Sequence, residues 1–168
     1  GLLWLIARVN PLALWRGGRE SLMTALATSS SAATMPVTMR VVQDNFRVSQ
    51  ATVGFVVPVG TTMNMDGTAL YEAAAALFVA NLAGIELGLG QQVVICVMSM
   101  LAAVGAPGIP SAGMVTMVMV LQSVGLPVEA IAILLPIDRL LDAVRTVVNV
   151  EGDIVGSIVV EHLTRERG

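Results

Sequence analysis

Residues 51–83 form one long apolar stretch, yet Asn64, Asp66, Gly67 and Thr68 interrupt it near its middle. Two more apolar stretches are interrupted in the same way: "TSSSAATMP" within 21–39 and "GAPGIPSAG" within 93–121. A water-soluble helix rarely follows this pattern, and a simple membrane anchor has no use for it. Non-helical backbone at membrane depth survives only where protein or water satisfies its polar groups. Broken helices leave N–H groups free at one half-helix end and C=O groups free at the other. Those ends suit an anionic solute and a small cation respectively.

Composition places the chain in a membrane. Of 168 residues 55% are hydrophobic and only 12% charged, where a soluble domain carries about 25% charged. Mean hydropathy is +0.82. Every basic residue is arginine and the net charge is −3, so no basic stripe exists to hold nucleic acid. Cys96 is the only cysteine, which excludes disulfides within the chain and cysteine-based metal sites. His162 is also alone and reads as a surface residue. The chain opens inside an apolar run, "GLLWLIA", without a cleavable leader, and reads as a piece of a longer polytopic protein.

Charge placement selects a topology. Arg8, Arg16, Arg19, Arg40, Arg47, Arg165 and Arg167 lie in connecting segments, as do Glu86 and Glu129. If 21–39 or 93–121 crossed the bilayer, arginines would fall on both sides. If both are re-entrant hairpins, all seven arginines fall on the cytoplasmic side and both glutamates outside. The expected fold is all-α and integral to the membrane, with broken transmembrane helices and two re-entrant helical hairpins. Its segments are a helix end and connector (1–20), hairpin 1 and a cytoplasmic loop (21–50), a broken span carrying NMDGT (51–90), hairpin 2 (91–127), and a polar span with a cytoplasmic tail (128–168).

The last segment carries the chemistry. Asp138, Asp142, Arg145, Thr146, Asn149 and Asp153 are spaced so that a helix gathers them into one sector about 100° wide. Leu140, Leu141, Val147, Val148 and Val150 cover much of the rest. Each intramembrane charge costs at least about 2.5–3.5 kcal/mol, so four on one face need a purpose. A self-neutralising Asp142–Arg145 pair would leave Asp138, Asn149 and Asp153 unexplained. The pattern suits a site for a charged, multidentate solute.

"SSSAATMP", "NMDGTALYE", "GAPGIPSAG" and "DRLLDAVRTVVNVEGD" occur in this order over essentially the whole chain. Together they resemble the C-terminal half of the glutamate transporter family, the dicarboxylate/amino acid:cation symporters. The resemblance implies a transporter and not an enzyme, with sodium as coupling ion and no other cofactor. It also implies a homotrimer formed through an N-terminal scaffold. Arg145 would grip the substrate's side-chain carboxylate with Thr68 beside it, a task for a planar bidentate donor. Asp142 would take the α-ammonium, flanked by Thr146 and Asn149. Ser30 and Ser31 at the first hairpin tip would hold the α-carboxylate. Gly108, Ile109 and Gly113 would belong to a gate formed by the second hairpin.

For sodium, a hard ion that prefers oxygen, the resemblance implies three sites. One combines backbone oxygens of Gly60, Asn64 and Asn149 with Asp153. A second uses the backbone of Thr62 with Ala103, Val104 and Ala106. A third uses the Asn64 and Asp66 side chains. Met63 and Met65 would lock the break into the core. Two departures stand out: Ser29 and Ala143 occupy positions where many family members have an additional arginine, and Pro107 stands where relatives often have Ala.

The function implied is sodium-coupled symport of glutamate, aspartate or a dicarboxylate. The alternative within the class is a proton-coupled symporter of dicarboxylates or neutral amino acids. Outside the class stand an intramembrane aspartyl protease using Asp66 and Asp153, and a passive channel. "VEGD" lacks the leading glycine of a protease GxGD motif.

Overall fold

The structure, a computed structural model, describes residues 2–165. Gly1 and residues 166–168 lie outside them, including Arg167, which the charge pattern assigns to the cytoplasmic side. The order is α1 (Leu2–Ala7), α2 (Pro11–Thr28), α3 (Ser31–Phe46), α4 (Gln50–Met63), α5 (Asp66–Leu82), α6 (Leu89–Val104), α7 (Ala112–Ser123), a 3₁₀ turn at Val128–Ala130, and α8 (Ile131–Arg165). Among the described residues there is no strand, as an all-α fold requires.

Local chemistry sets the helix ends. Asn10 accepts from the Leu12 N–H at 2.9 Å and Pro11 takes the first turn of α2, where its missing N–H costs nothing. The helix stops at Ser29, whose left-handed φ of 49° turns the chain. Ser30 and Ser49 then cap α3 and α4 through the N–H groups of Ala33 and Thr52.

The two Ser- and Gly/Pro-rich breaks produce two helix–turn–helix hairpins, α2–α3 and α6–α7, each with its arms in contact. The first is antiparallel: Ser21 bonds Thr38 at 2.6 Å, Glu20 pairs with Arg40, and Asn45 donates to the Gly17 carbonyl at 2.7 Å. Its arms are longer than the 21–39 segment implied, because residues 11–20 and 40–46 continue both helices. The NMDGT break falls where expected, with Asn64 and Met65 non-helical between α4 and α5.

Neither expected span, the broken one at 51–90 or the polar one at 128–168, is a single long apolar helix. No helix among the described residues is both long and apolar enough to cross a membrane. The break divides the apolar stretch into helices of 14 and 17 residues, about 21 and 26 Å long against a hydrocarbon core of about 30 Å. In α8, 35 residues long, the charges themselves spoil the apolar run.

Two apolar clusters sit at opposite ends of the body. One joins Leu3, Leu14, Leu22, Val42, Val48, Val53, Val57, Ile154 and Ile158. The other joins Ala76, Val79, Ile95, Met117, Val120, Leu121, Leu126 and Leu134. The first lies at the arginine-bearing end, where Arg165 donates to the Arg47 carbonyl at 3.2 Å. Glu161 fastens that end: it accepts from Thr52 (2.6 Å), Ser49 (2.8 Å) and Arg165 (2.8 Å). These partners, Thr52 foremost, hold its pKa down from 4.5 to about 2. Between the clusters, α8 passes its polar face through the middle of the molecule.

Candidate functional site

That polar face is turned inward. Asp138, Asp142, Arg145, Thr146, Asn149 and Asp153 are each 4% exposed or less, whereas Leu140 is 70% and Val144 52% exposed. This inside-out arrangement follows from the spacing, since one sector of a helix can face the neighbouring elements while the others cannot.

Arg145 is the centre. Its Nε donates to Asp142 Oδ1 at 2.9 Å, and Nη2 lies 2.8 Å from the same oxygen. Nη1 is 3.5 Å from Asp138 Oδ1, and the Tyr71 ring lies 4.5 Å from Cζ, within cation–π range. Although these ion pairs are close, Nη1, Nη2 and Asp138 Oδ1 lack a well-directed hydrogen bond among the described residues. The self-neutralising pair weighed above is therefore present, but it leaves part of the guanidinium fork unsatisfied. Buried polar groups in that condition are uncommon and call for a ligand or water. Asp142 uses its second oxygen to accept from the Ser111 N–H at 2.8 Å, tying α8 to the second hairpin.

The break in α4–α5 is fastened by Asn149. Its Oδ1 accepts from the N–H of Gly67 at 2.8 Å and of Thr68 at 3.4 Å, while Nδ2 donates to Thr68 Oγ1 at 3.1 Å and to Met65 Sδ at 3.3 Å. Two first-turn N–H groups of α5 are thus spent on a side chain and not left free for an anion. Close approach demands glycine here: a Cβ on Gly67 would strike the Arg145 carbonyl, and one on Gly152 would strike Asn64 Nδ2. Met65 is 5% exposed and does lock the break, but Met63 is 58% exposed and does not.

The hairpin tips close the site from one side. Ser30 Oγ donates to the Gly108 carbonyl at 2.7 Å, and the Ala32 N–H donates to it at 3.1 Å. Ser31, Thr68, Ile109, Gly113, Asp142, Arg145, Thr146 and Asn149 all line one cavity, joined by Ser29, Met65, Ala106, Pro107, Gly108 and Ala112. Ser30 is not among them, because its hydroxyl holds the two tips together. As closed, the cavity measures about 10 Å³, room for about one water. A larger solute does not fit the cavity in this closed form.

The ion-site residues fall into two groups. Asn64 Nδ2 donates to the Asn149 carbonyl at 3.1 Å and to Asp153 Oδ1 at 3.2 Å. Gly60 lies against the same Asp153 oxygen. Gly60, Asn64, Asn149 and Asp153 are therefore brought together, with an amide donor between two oxygens that a cation could share. Ala103, Val104 and the exposed Asp66 line a separate cavity of about 220 Å³ with Met63 and Met65. Thr62 is exposed, its hydroxyl bonded back to Val59 at 3.1 Å, and Ala106 belongs to the central cavity. No cluster of three His, Cys, Asp or Glu side chains occurs among the described residues, so an ion here would depend on backbone and amide oxygens beside the single Asp153 carboxylate.

Sequence reasoning overlooked three neighbours of Arg145. Tyr71 stacks on it; the fully buried Glu72 accepts from Thr116; and Ser111 anchors Asp142. Tyr71 and Glu72 stand three and four residues beyond Thr68, on the same helical face. That spacing was the available signal.

A charged cluster enclosed by helices whose apolar residues face outward has the build of a site for a polar solute in an apolar surrounding. The chain matches the sodium:dicarboxylate symporter family over residues 1–163, and it belongs to that family. It is 48% identical over 163 residues to excitatory amino acid transporter 3 of Homo sapiens, covering 97% of this chain and 31% of that protein. It is 49% identical over 164 residues to excitatory amino acid transporter 1 of Homo sapiens, covering 98% and 30%. With excitatory amino acid transporter 4 of Mus musculus the identity is 49% over 162 residues, covering 96% and 29%. The chain thus spans about a third of the length of these relatives.

Proposed function

We propose that this chain forms the solute- and ion-binding core of a sodium-coupled symporter for an acidic amino acid, in a cell membrane. The family and the transporters it resembles support the class; the buried Arg145 with its unsatisfied fork carries the choice of substrate. Its helices would lie within the bilayer beside further segments, the hairpins re-entrant and the arginine-bearing end cytoplasmic. By the resemblance, the full-length protein would assemble as a trimer.

An α-amino dicarboxylic acid can replace the internal pair charge for charge. Its side-chain carboxylate takes Arg145 and its ammonium takes Asp142, while Ser31 and the hairpin tip receive the α-carboxylate. Both members of the Asp142–Arg145 pair then keep an opposite charge, and Asp138 keeps Arg145 at 3.5 Å. Succinate would occupy Arg145 but strand Asp142, and an unpaired buried charge costs about 3–5 kcal/mol. Glutamate or aspartate should therefore bind at least about a hundredfold better than succinate. Sodium would be cargo, held by the oxygens around Asp153 and beside the break; a neutral amide there could coordinate but not balance the charge.

The test is uptake by the full-length protein in liposomes under a sodium gradient, competed with glutamate, aspartate, succinate, serine and alanine. Strong competition by glutamate or aspartate alone is expected. Uptake driven by protons without sodium would establish the proton-coupled alternative, and flux that never saturates would establish a channel.

A further inference from the structure

The arginine-bearing end contains a second cavity, about 210 Å³ in volume, that plays no part in the proposed transport chemistry. Its floor is apolar, built from Ala7, Val9, Phe46, Val48 and Ile158, and its rim carries Arg47, His162, Glu161 and Arg165. Glu161 keeps its negative charge, with Arg165 as its ionic partner and Ser49 and Thr52 as neutral donors, so the rim sets two arginines against one carboxylate. Arg165 spends Nε and Nη2 on Glu161 and the Arg47 carbonyl, and its side chain remains 66% exposed. The Arg47 guanidinium has no hydrogen bond or ion pair among the described residues, and Arg47 lies exposed on the loop between α3 and α4.

The surroundings indicate what kind of molecule could sit there. Both tryptophans of the chain lie toward this end, Trp4 64% and Trp15 53% exposed, with Leu5 and Leu12 exposed beside them. Exposed tryptophans next to arginines mark the headgroup level of a bilayer. A basic rim over an apolar floor at that level matches a charged headgroup and the first part of an acyl chain.

We propose that this cavity seats an anionic phospholipid, its phosphate between Arg47 and Arg165 and its glycerol end over Phe46 and Ile158. The proposal rests on the membrane placement given above but not on the identity of the substrate. Each arginine near an anionic lipid contributes roughly a fivefold gain in affinity.

Full-length protein in nanodiscs of phosphatidylcholine with increasing phosphatidylglycerol tests this by native mass spectrometry of retained lipid and by thermal midpoint. Retained phosphatidylglycerol and a rising midpoint are expected. Arg47→Gln, which removes no side-chain hydrogen bond or ion pair among the described residues, should weaken retention roughly fivefold, and Arg47→Gln with Arg165→Gln roughly 25-fold. Equal retention of both lipids, or retention unchanged in Arg47→Gln, overturns the proposal. A midpoint raised equally by inorganic phosphate in pure phosphatidylcholine overturns it in favour of a soluble anion. If neither lipid is retained, the cavity is covered by another part of the full-length chain and the proposal is wrong. Sodium-driven uptake measured in the same lipids separates failure here from failure of the transport reading.

Discussion

Replacing Arg145 by cysteine removes the one cation among the described residues that faces Asp138, Asp142 and the stacked Tyr71. Two effects follow, and they can be separated. The ligand effect comes from losing charge-assisted hydrogen bonds to a carboxylate, about 1.5–3 kcal/mol each. A bidentate grip on a side-chain carboxylate would thus account for about 3–6 kcal/mol, a loss of about 150- to 20,000-fold in affinity. The fold effect comes from leaving Asp142 buried with only the Ser111 N–H as partner, a penalty of about 3–5 kcal/mol unless it takes up a proton. Cysteine also frees volume beside Gly113, whose missing Cβ would stand 2.9 Å from Arg145 Nη1. Small neutral amino acids, which keep an ammonium for Asp142, should then compete where they did not before. Isothermal titration of the purified full-length protein gives the affinities for glutamate, aspartate, serine and alanine, and a thermal melt gives the fold effect independently. Glutamate and aspartate affinity unchanged in Arg145→Cys would refute the role given to Arg145, whatever the melt reports.

Asp153→Asn should weaken the dependence of substrate binding on sodium far more than it alters the ranking of substrates, because Asp153 meets Asn64 and Gly60 and not the central cavity. Substrate affinity flat across sodium concentrations in the parent protein, rising only as pH falls, would show proton coupling instead. Gly152→Ala drives a methyl into Asn64 Nδ2 and should cost about 1–3 kcal/mol, while Gly156→Ala, whose nearest contact would be Val56 Cγ1 at 3.9 Å, should be tolerated; equal melting temperatures would show that α4–α5 is not held tightly against α8. Glu161, with its pKa lowered from 4.5 to about 2, stabilises the fold fully above pH 4.5 and loses that contribution as pH falls toward 2. The difference in thermal midpoint between parent and Glu161→Gln should therefore shrink across that window, and a constant difference would dismiss the Ser49–Thr52 latch.

Which residues turn inward was legible in the sequence. The offsets of Asp138, Asp142, Arg145, Thr146, Asn149 and Asp153 fix one helical sector, and burial of that sector follows once any partner covers it. The positions of the breaks were legible for a similar reason: a Ser run, a Gly/Pro run and NMDGT each remove local support for a continuous helix. The charge pattern, read with two re-entrant hairpins, sets residues 40–50 and 161–168 on one side, and Arg165 donates to the Arg47 carbonyl.

Side-chain partnership was not legible. Asn149 lines the central cavity and offers its carbonyl beside Asp153, but its amide also caps the first turn of α5, a task defined only when α8 lies against the break. Ser30 and Ser31 are adjacent in sequence, but one bonds the opposite hairpin tip and the other lines the cavity. Met63 and Met65 have the same chemistry and opposite exposure, because the two residues between α4 and α5 reverse which side of the chain faces the core. Helical periodicity carries information only along a continuous helix. Across each break the phase is lost, and there the packing of α8 and the two hairpin tips decides which polar groups meet.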